Sequence, residues 1–233
     1  MSTAEVISRV ADVGRHLALR AALKGLQRQA ETRLGKLDWP STLPGIKVQL
    51  DRILTRQKNA VIEAANQWLN HRASFFSLHH FPLGDPIDWH RDYSSDRVGP
   101  VRYSGLINAR DQTKVGDIKY VWELNRLQHL ILLALAGTWK GNANYWETIE
   151  KRVVSWHESN PFMIGVNWKS PLEAGIRLIT WAYVLFIRGG AGQGQERFDQ
   201  ILQHTIYQHL YFIAKFYSKN SSANNLLGFA VIF

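Results

Sequence analysis

Residues 160–187, NPFMIGVNWKSPLEAGIRLITWAYVLFI, decide the fold. Ser170 suits an N-cap, Pro171 the first helical position and Glu173 the third, which together make a capping box. The pattern predicts a helix over Pro171–Ile187, stopped by Gly189-Gly190. Arg177 lies four residues after Glu173, which predicts a helical ion pair, and Trp181 follows one turn later. Capping accounts for Ser170, Pro171 and Glu173. It leaves Asn167 and Trp168, an amide and an indole carried on a tight loop, without a local reason.

The same helical period extends outward from this stretch. Upstream, Asn144–Glu158 reads as a helix stopped by Asn160-Pro161. Before it, Asp117–Gly137 holds the apolar run Leu130–Leu135, too long for an exposed face. Downstream, Glu196–Tyr217 places Phe198, Leu202, Ile206, Leu210 and Ile213 inward. Another helix is predicted over Ile46–Asn70, with Ile53, Ala60, Ala64 and Trp68 on one side. Residues 1–38 read as a basic amphipathic helix. Val6, Val10, Val13 and Leu17 are its apolar positions and Arg20, Lys24 and Arg28 its basic stripe, and Asp38-Trp39-Pro40 ends it. Residues 39–233 then form one domain. Leu78–Tyr103, rich in Pro and Gly, is predicted irregular, with a short strand at Phe75-Phe76. Helices alternating with short polar loops imply an all-α fold of antiparallel helical hairpins.

Composition narrows the function classes. The chain has 233 residues, 45% hydrophobic and 20% charged, which is the balance of a globular protein. It has no cysteine, which removes disulfides, thiolate metal sites and cysteine catalysis. No apolar run reaches the roughly 20 residues of a membrane span, and no secretory signal is recognisable, so a cytoplasmic location is expected. A net charge of +9 points to an anionic partner: nucleic acid, anionic membrane or acidic polysaccharide. Nine Trp, eight Tyr and ten Phe supply rings that stack on sugars as well as on bases. His71, His79, His80 and His90 lack zinc-type spacing, so no metal is expected. Gly189-Gly190-x-Gly192-x-Gly194 follows a helix rather than a strand and reads as a linker, so no cofactor is expected either.

Two further groups carry potential chemistry. Trp122, Asn125, Arg126 and His129 fall at i, i+3, i+4 and i+7, one face of the predicted helix, flanked by Val121, Leu124, Leu127 and Ile131. A polar and aromatic stripe between apolar faces suggests a cavity wall. Ser218–Asn225 reads as a polar loop and helix start, where the amides of Asn224 and Asn225 suit a carboxylate.

Taken in order, several blocks resemble the N-terminal region of heparinase II/III-like polysaccharide lyases. They are Asp88-Trp89, Trp122-Glu123-Leu124-Asn125-Arg126, Trp156 to Asn160-Pro161, Gly165-Val166-Asn167-Trp168, Glu173, Arg177 and Ser221-Ser222-Ala223-Asn224-Asn225. The resemblance covers roughly residues 40–228. It implies an incomplete (α/α) toroid of helical hairpins, which in the family is followed by β-sandwich domains that this sequence lacks. It implies β-elimination on uronic-acid glycans such as heparin, heparan sulfate or alginate, often in the periplasm, with acidic polysaccharide favoured over nucleic acid. It implies that Trp122, Asn125, Arg126, His129, Asn167, Trp168, Glu173 and Arg177 bind substrate around the toroid canyon. Asn224 or Asn225 then neutralises the uronate carboxylate so that the C5 proton can leave. The pattern departs from the family after Asn225, where Leu226-Leu227-Gly228-Phe229 replaces the expected His and Gly-Glu. The apolar end, Leu226–Phe233, reads as an interrupted helix, with no Tyr or His after Asn225 to serve as base. The alternative is a basic helical binding protein for acidic glycan, nucleic acid or anionic membrane, without catalysis.

An amide holds a carboxylate but cannot remove a proton, and a positioned base is worth around 10²–10⁴ in rate. The purified chain is therefore expected to release no unsaturated uronate from heparan sulfate or alginate, followed by the ultraviolet absorbance of the product. Steady release that disappears in Asn225→Ala would place the base among residues before Asn225.

Overall fold

The computed structural model describes residues 57–189 and 196–216. The predicted helix 1–38, the helix start at Ile46 and the Asn224-Asn225 block lie outside the described residues. Within them the chain is mostly helical, with two small strand pairs.

Helix α1, Lys58–Leu69, opens the described part. Ala65 is its buried residue, whereas Ala60 is exposed and Ala64 half-buried, so the inward stripe is rotated from the predicted one. Strands β1 (Arg72–Phe75) and β2 (Leu78–Pro82) then form an antiparallel hairpin, pairing Ala73 with Phe81 and Phe75 with Leu78 around the turn Phe76-Ser77. A second short pair, β3 (Arg91–Asp92) and β4 (Arg97–Val98), follows. These pairs correct the expectation that Leu78–Tyr103 is irregular throughout. Alternation is too brief there to register as a period of two. Among the described residues no sheet exceeds two strands.

Asp92 organises the chain between the strands and the helices. Its buried carboxylate accepts from the backbone N–H and hydroxyl of Ser94, the hydroxyl of Ser95 and the backbone N–H of Asp117. Burial raises its pKa, but these donors outweigh that and hold it below the usual carboxylate range. Gly116 packs on it at φ +69, where a Cβ would lie 2.4 Å from Asp92 Oδ2.

A single turn, α2 (Gln112–Val115), leads to α3 (Ile118–Asn125), capped by the side chain of Asp117. Helix α4 runs over His129–Lys140. The predicted continuous helix Asp117–Gly137 is thus broken, because Leu127 takes φ 61, a left-handed conformation that costs a non-glycine residue roughly 1–2 kcal/mol. Leu127 is 0% exposed at this price, so its burial offsets the strain. Helix α5, Ala143–Ser159, follows the link Gly141-Asn142, and the Asn142 side chain accepts from the Asn144 N–H. Helix α6, Pro171–Arg188, starts at the expected residue: the Ser170 hydroxyl accepts from the Glu173 N–H, with Pro171 in the first turn, but the Glu173 carboxylate turns to Arg126, so only this half of the capping box forms. Helix α7 spans Glu196–Phe216.

Helix α4 is apolar nearly all round because it packs against α1, α5 and α6 at once. Helices α6 and α7 pack on each other, and α7 also touches α5. The four helices α4, α5, α7 and α6 therefore close a ring of pairwise contacts. Val153, Trp156, Leu178, Trp181, Phe212 and Ile213 are buried among them.

Gly165 sits at φ +83, and a Cβ there would come within 2.7 Å of His90 Cε1 in the buried interior. Gly141, at φ +61, has nothing within 4 Å of its would-be Cβ. Gly165→Ala is expected to cost about 2–4 kcal/mol, strain plus displacement of His90, and Gly141→Ala about 1–2 kcal/mol, strain alone. Denaturant titration of both variants checks the order. Equal losses would mean that the His90 ring yields freely.

Candidate functional site

The residues singled out by sequence meet at the ends of α3, α5 and α6 and in the turn Val166–Trp168. The centre is a ladder of amides. Asn125 donates from Nδ2 to the carbonyls of Trp89 (2.8 Å) and Val121 (2.7 Å). Its Oδ1 accepts from Trp156 Nε1 at 2.8 Å and from Asn167 Nδ2 at 2.9 Å. Asn167 Nδ2 also reaches Asn160 Oδ1 at 2.7 Å, and Asn160 Nδ2 donates to the Trp156 carbonyl. Trp168 Nε1 donates to the Asn160 carbonyl at 3.1 Å. Asn125 and Asn167 are 0% exposed, so these bonds satisfy both Asn125 atoms and the Asn167 Nδ2, while Asn167 Oδ1 has no hydrogen-bond partner among the described residues.

Arg177 lies beneath this ladder, 0% exposed. Its Nη2 donates to the Asn167 carbonyl and its Nε to His209 Nε2, both at 2.8 Å. The guanidinium carbon is 5.0 Å from the Trp156 ring centroid and 5.9 Å from that of Trp168. Among the described residues no carboxylate lies within salt-bridge distance of it, and its Nη1 has no hydrogen-bond partner. Burial pushes its pKa down to about 9, which leaves it charged at neutral pH. His209 Nδ1 sits 2.8 Å from the Thr205 carbonyl. With the proton on Nδ1, Nε2 is free to accept from Arg177, so His209 is neutral. Burial first, and the adjacent Arg177 second, hold the His209 pKa well below the usual histidine value.

A second clasp lies at the solvent edge. Arg126 forms a bidentate pair with Glu173, Nε to Oε2 at 2.8 Å and Nη2 to Oε1 at 3.0 Å, and donates to Glu123 at 2.6 Å. The hydrogen bond to Glu173 is the main reason its pKa is raised. Glu173 is thus committed to Arg126 on α3 rather than to Arg177 on its own helix, which corrects the predicted i, i+4 pair. Trp122 is half-buried and donates from Nε1 to the Val166 carbonyl at 3.1 Å.

Because the chain turns at Leu127, Trp122, Asn125, Arg126 and His129 do not share one helix face. His129 opens α4 instead, buried, stacked on Trp68 at 4.3 Å between ring centroids, and its pKa is held well below normal by burial and then by Arg152. Asn167 and Trp168 lie in a tight 3-10 turn, where both are buried. The meeting place of the site residues is packed interior, with Arg126 and Trp122 at its rim. The structure brings together Trp122, Asn125, Arg126, Asn167, Trp168, Glu173 and Arg177, and leaves His129 apart, beside α1. His79 and His80 are exposed, while His71 and His90 bond to the carbonyls of Gly84 and Ser159. Among the described residues no three metal-binding side chains gather.

No family model, no curated protein and no solved structure matches this chain.

Sequence reasoning missed His209 and Ser155. His209 continues the buried spacing of Phe198, Leu202 and Thr205 along α7, and a polar residue in an apolar stripe was the available signal. Ser155, half-buried, takes a hydrogen bond from Trp89 Nε1 at 3.0 Å and carries no comparable mark in the sequence.

His129 and His209 bind protons less readily folded than unfolded, so the unfolded chain takes up more protons below its histidine pKa of about 6.5. Their contribution to stability is present above pH 6.5 and is lost as the pH falls below it, by up to about 1.4 kcal/mol per pH unit for each histidine. The melting temperature is expected to fall between pH 7.5 and 5.5, less steeply in His209→Gln. A flat profile for the unmodified chain would contradict neutral burial of these rings.

Proposed function

We propose that this chain is the N-terminal part of a polysaccharide lyase of the heparinase II/III-like kind, whose family acts on uronic-acid glycans by β-elimination, and that by itself it is inactive or weakly active. In this reading the helical hairpins form part of an (α/α) toroid. One observation carries it: blocks separated by up to 88 residues, from Trp89 to Arg177, converge on one hydrogen-bonded network. Such convergence is expected if the blocks are parts of one architecture rather than chance matches. The charge of +9 suits the partner.

In this reading the residues divide by exposure and by block. Half-buried Trp122 at the rim meets the glycan, while Arg126, neutralised by Glu173 and Glu123, holds that rim in place. Asn125, Asn160, Asn167, Trp168 and Arg177 hold the turn and α6 in position from behind. The carboxylate-neutralising role falls to Asn224 or Asn225. His209 and His129 are poor bases for this reaction, since both are buried and His209 spends both ring nitrogens on Arg177 and Thr205.

A second reading, a basic binding protein without catalysis, draws support from the same network: its polar atoms mostly face each other rather than solvent. Among the described residues no helix is long and apolar enough to cross a membrane.

Electrophoresis through gels containing heparin, alginate, DNA or neutral dextran tests the proposal. The chain is expected to be retarded by the uronate polymers at low salt, less by DNA, and not by dextran. Retardation by DNA alone would favour the second reading, and equal migration in all four gels would defeat both.

A further inference from the structure

The β1–β2 hairpin displays aromatic rings in a way that its own stability does not require. Phe76, in the turn, is 54% exposed and takes φ 51. A bulky residue in that region is strained, and an exposed Phe forgoes the gain of burial; glycine or asparagine would suit the turn on both counts. His71 and His80, at either side of the same hairpin, also have positive φ, at 56 and 50. Backbone strain concentrates where a side chain must be aimed.

Phe76 is one end of a ladder of five rings. It contacts Phe75 (6.1 Å between centroids) and Tyr120 (5.1 Å). Phe75 contacts Phe81 at 5.1 Å, and Phe81 contacts Tyr93 at 5.3 Å. Phe75, Phe81, Tyr93 and Tyr120 are all half-buried. The ladder is fixed at two points: Tyr120 Oη lies 2.7 Å from Ser77 Oγ, which ties the turn to α3, and Tyr93 Oη donates to the Leu83 carbonyl. Arg72, on β1, and Lys119, beside Tyr120, are exposed; Arg72 Nη1 donates to the His80 carbonyl, and among the described residues neither forms an ion pair with a carboxylate.

We infer that this ladder is a stacking platform for the pyranose rings of an acidic oligosaccharide, a subsite separate from the Asn125–Arg177 network; the acidic part of the assignment rests on the function proposed above. The C–H face of a sugar packs on an aromatic face, and a rigid ring loses little entropy in accepting it. Arg72 and Lys119 supply charge for carboxylates along the chain. The ladder offers one well-exposed ring among half-buried ones, bounded by polar His79 and His80. That is small against the roughly 1,000 Å² of a stable protein interface and well sized for a short glycan.

Calorimetric titration of the full chain with alginate and heparin oligosaccharides, and with neutral cello-oligosaccharides, tests the platform. Phe76→Gly is expected to weaken uronate binding roughly tenfold while leaving the melting temperature unchanged or higher, since glycine relieves the positive φ. Phe76→Trp should keep the affinity. Unchanged uronate affinity in Phe76→Gly overturns the platform and leaves the lyase reading standing. Binding of the neutral oligosaccharides alone, weakened by Phe76→Gly, upholds the platform and removes its acidic assignment. No binding of either sugar by the folded chain overturns the platform, as does a dimer in sedimentation that Phe76→Gly dissolves.

Discussion

A guanidinium held in the interior without a carboxylate is the constraint from which the rest of the described structure follows. Removing Arg177 from water costs several kcal/mol that no ion pair repays. The compensation is assembled from parts: the Asn167 carbonyl, a neutral imidazole nitrogen of His209 and the faces of Trp156 and Trp168. Each part comes from a different place in the chain. The 3-10 turn, α5, α6 and α7 must all arrive before the charge is tolerable, so the arrangement cannot be half made. The amide ladder above it fixes the turn from the other side through Asn125 and Asn160.

This arrangement separates two kinds of residue that look alike in a sequence. Asn125, Asn167 and Trp168 are polar or aromatic, stand out from their neighbours and invite a reading as ligand contacts. Their polar atoms are largely consumed by one another. Arg126 does similar work at the rim, where Glu173 and Glu123 neutralise it. The most exposed ring lies elsewhere, at Phe76 in a hairpin whose residues follow no motif.

What could be read from sequence was what local rules determine. Ser170, Pro171 and Glu173 announce a helix start because capping needs only a few adjacent residues, and the helix does start there, with the Ser170 half of the capping box formed. The helices after Asn144 followed from their apolar period. The break at Leu127 escaped because no proline or glycine marks it; it exists only because burying Leu127 outweighs the strain. The partner of Glu173 escaped for a related reason. Spacing offered Arg177 four residues away, and only the fold could offer Arg126, 47 residues away, in a better bidentate geometry. The strand pairs were too short to show alternation, and the aromatic ladder joins residues that lie far apart in sequence.

The carboxylate of Asp92 spans 25 residues to reach the backbone of Asp117, and so closes the stretch between them into a loop with fixed ends. The entropy of closing a flexible loop grows only with the logarithm of its length, about 0.6 kcal/mol for each doubling. Helix α3 starts at the closing point and does not depend on how long the path to it is. The stretch is also docked along its length, since Ile107 and Val115 are buried and Ser104 and Arg102 bond to the backbone of Met163 and Gly165, so only its exposed positions between these contacts can change length at little load on the helices. Those positions are where descendants of this sequence can lengthen, shorten or be remodelled while the Arg177 interior stays as it is.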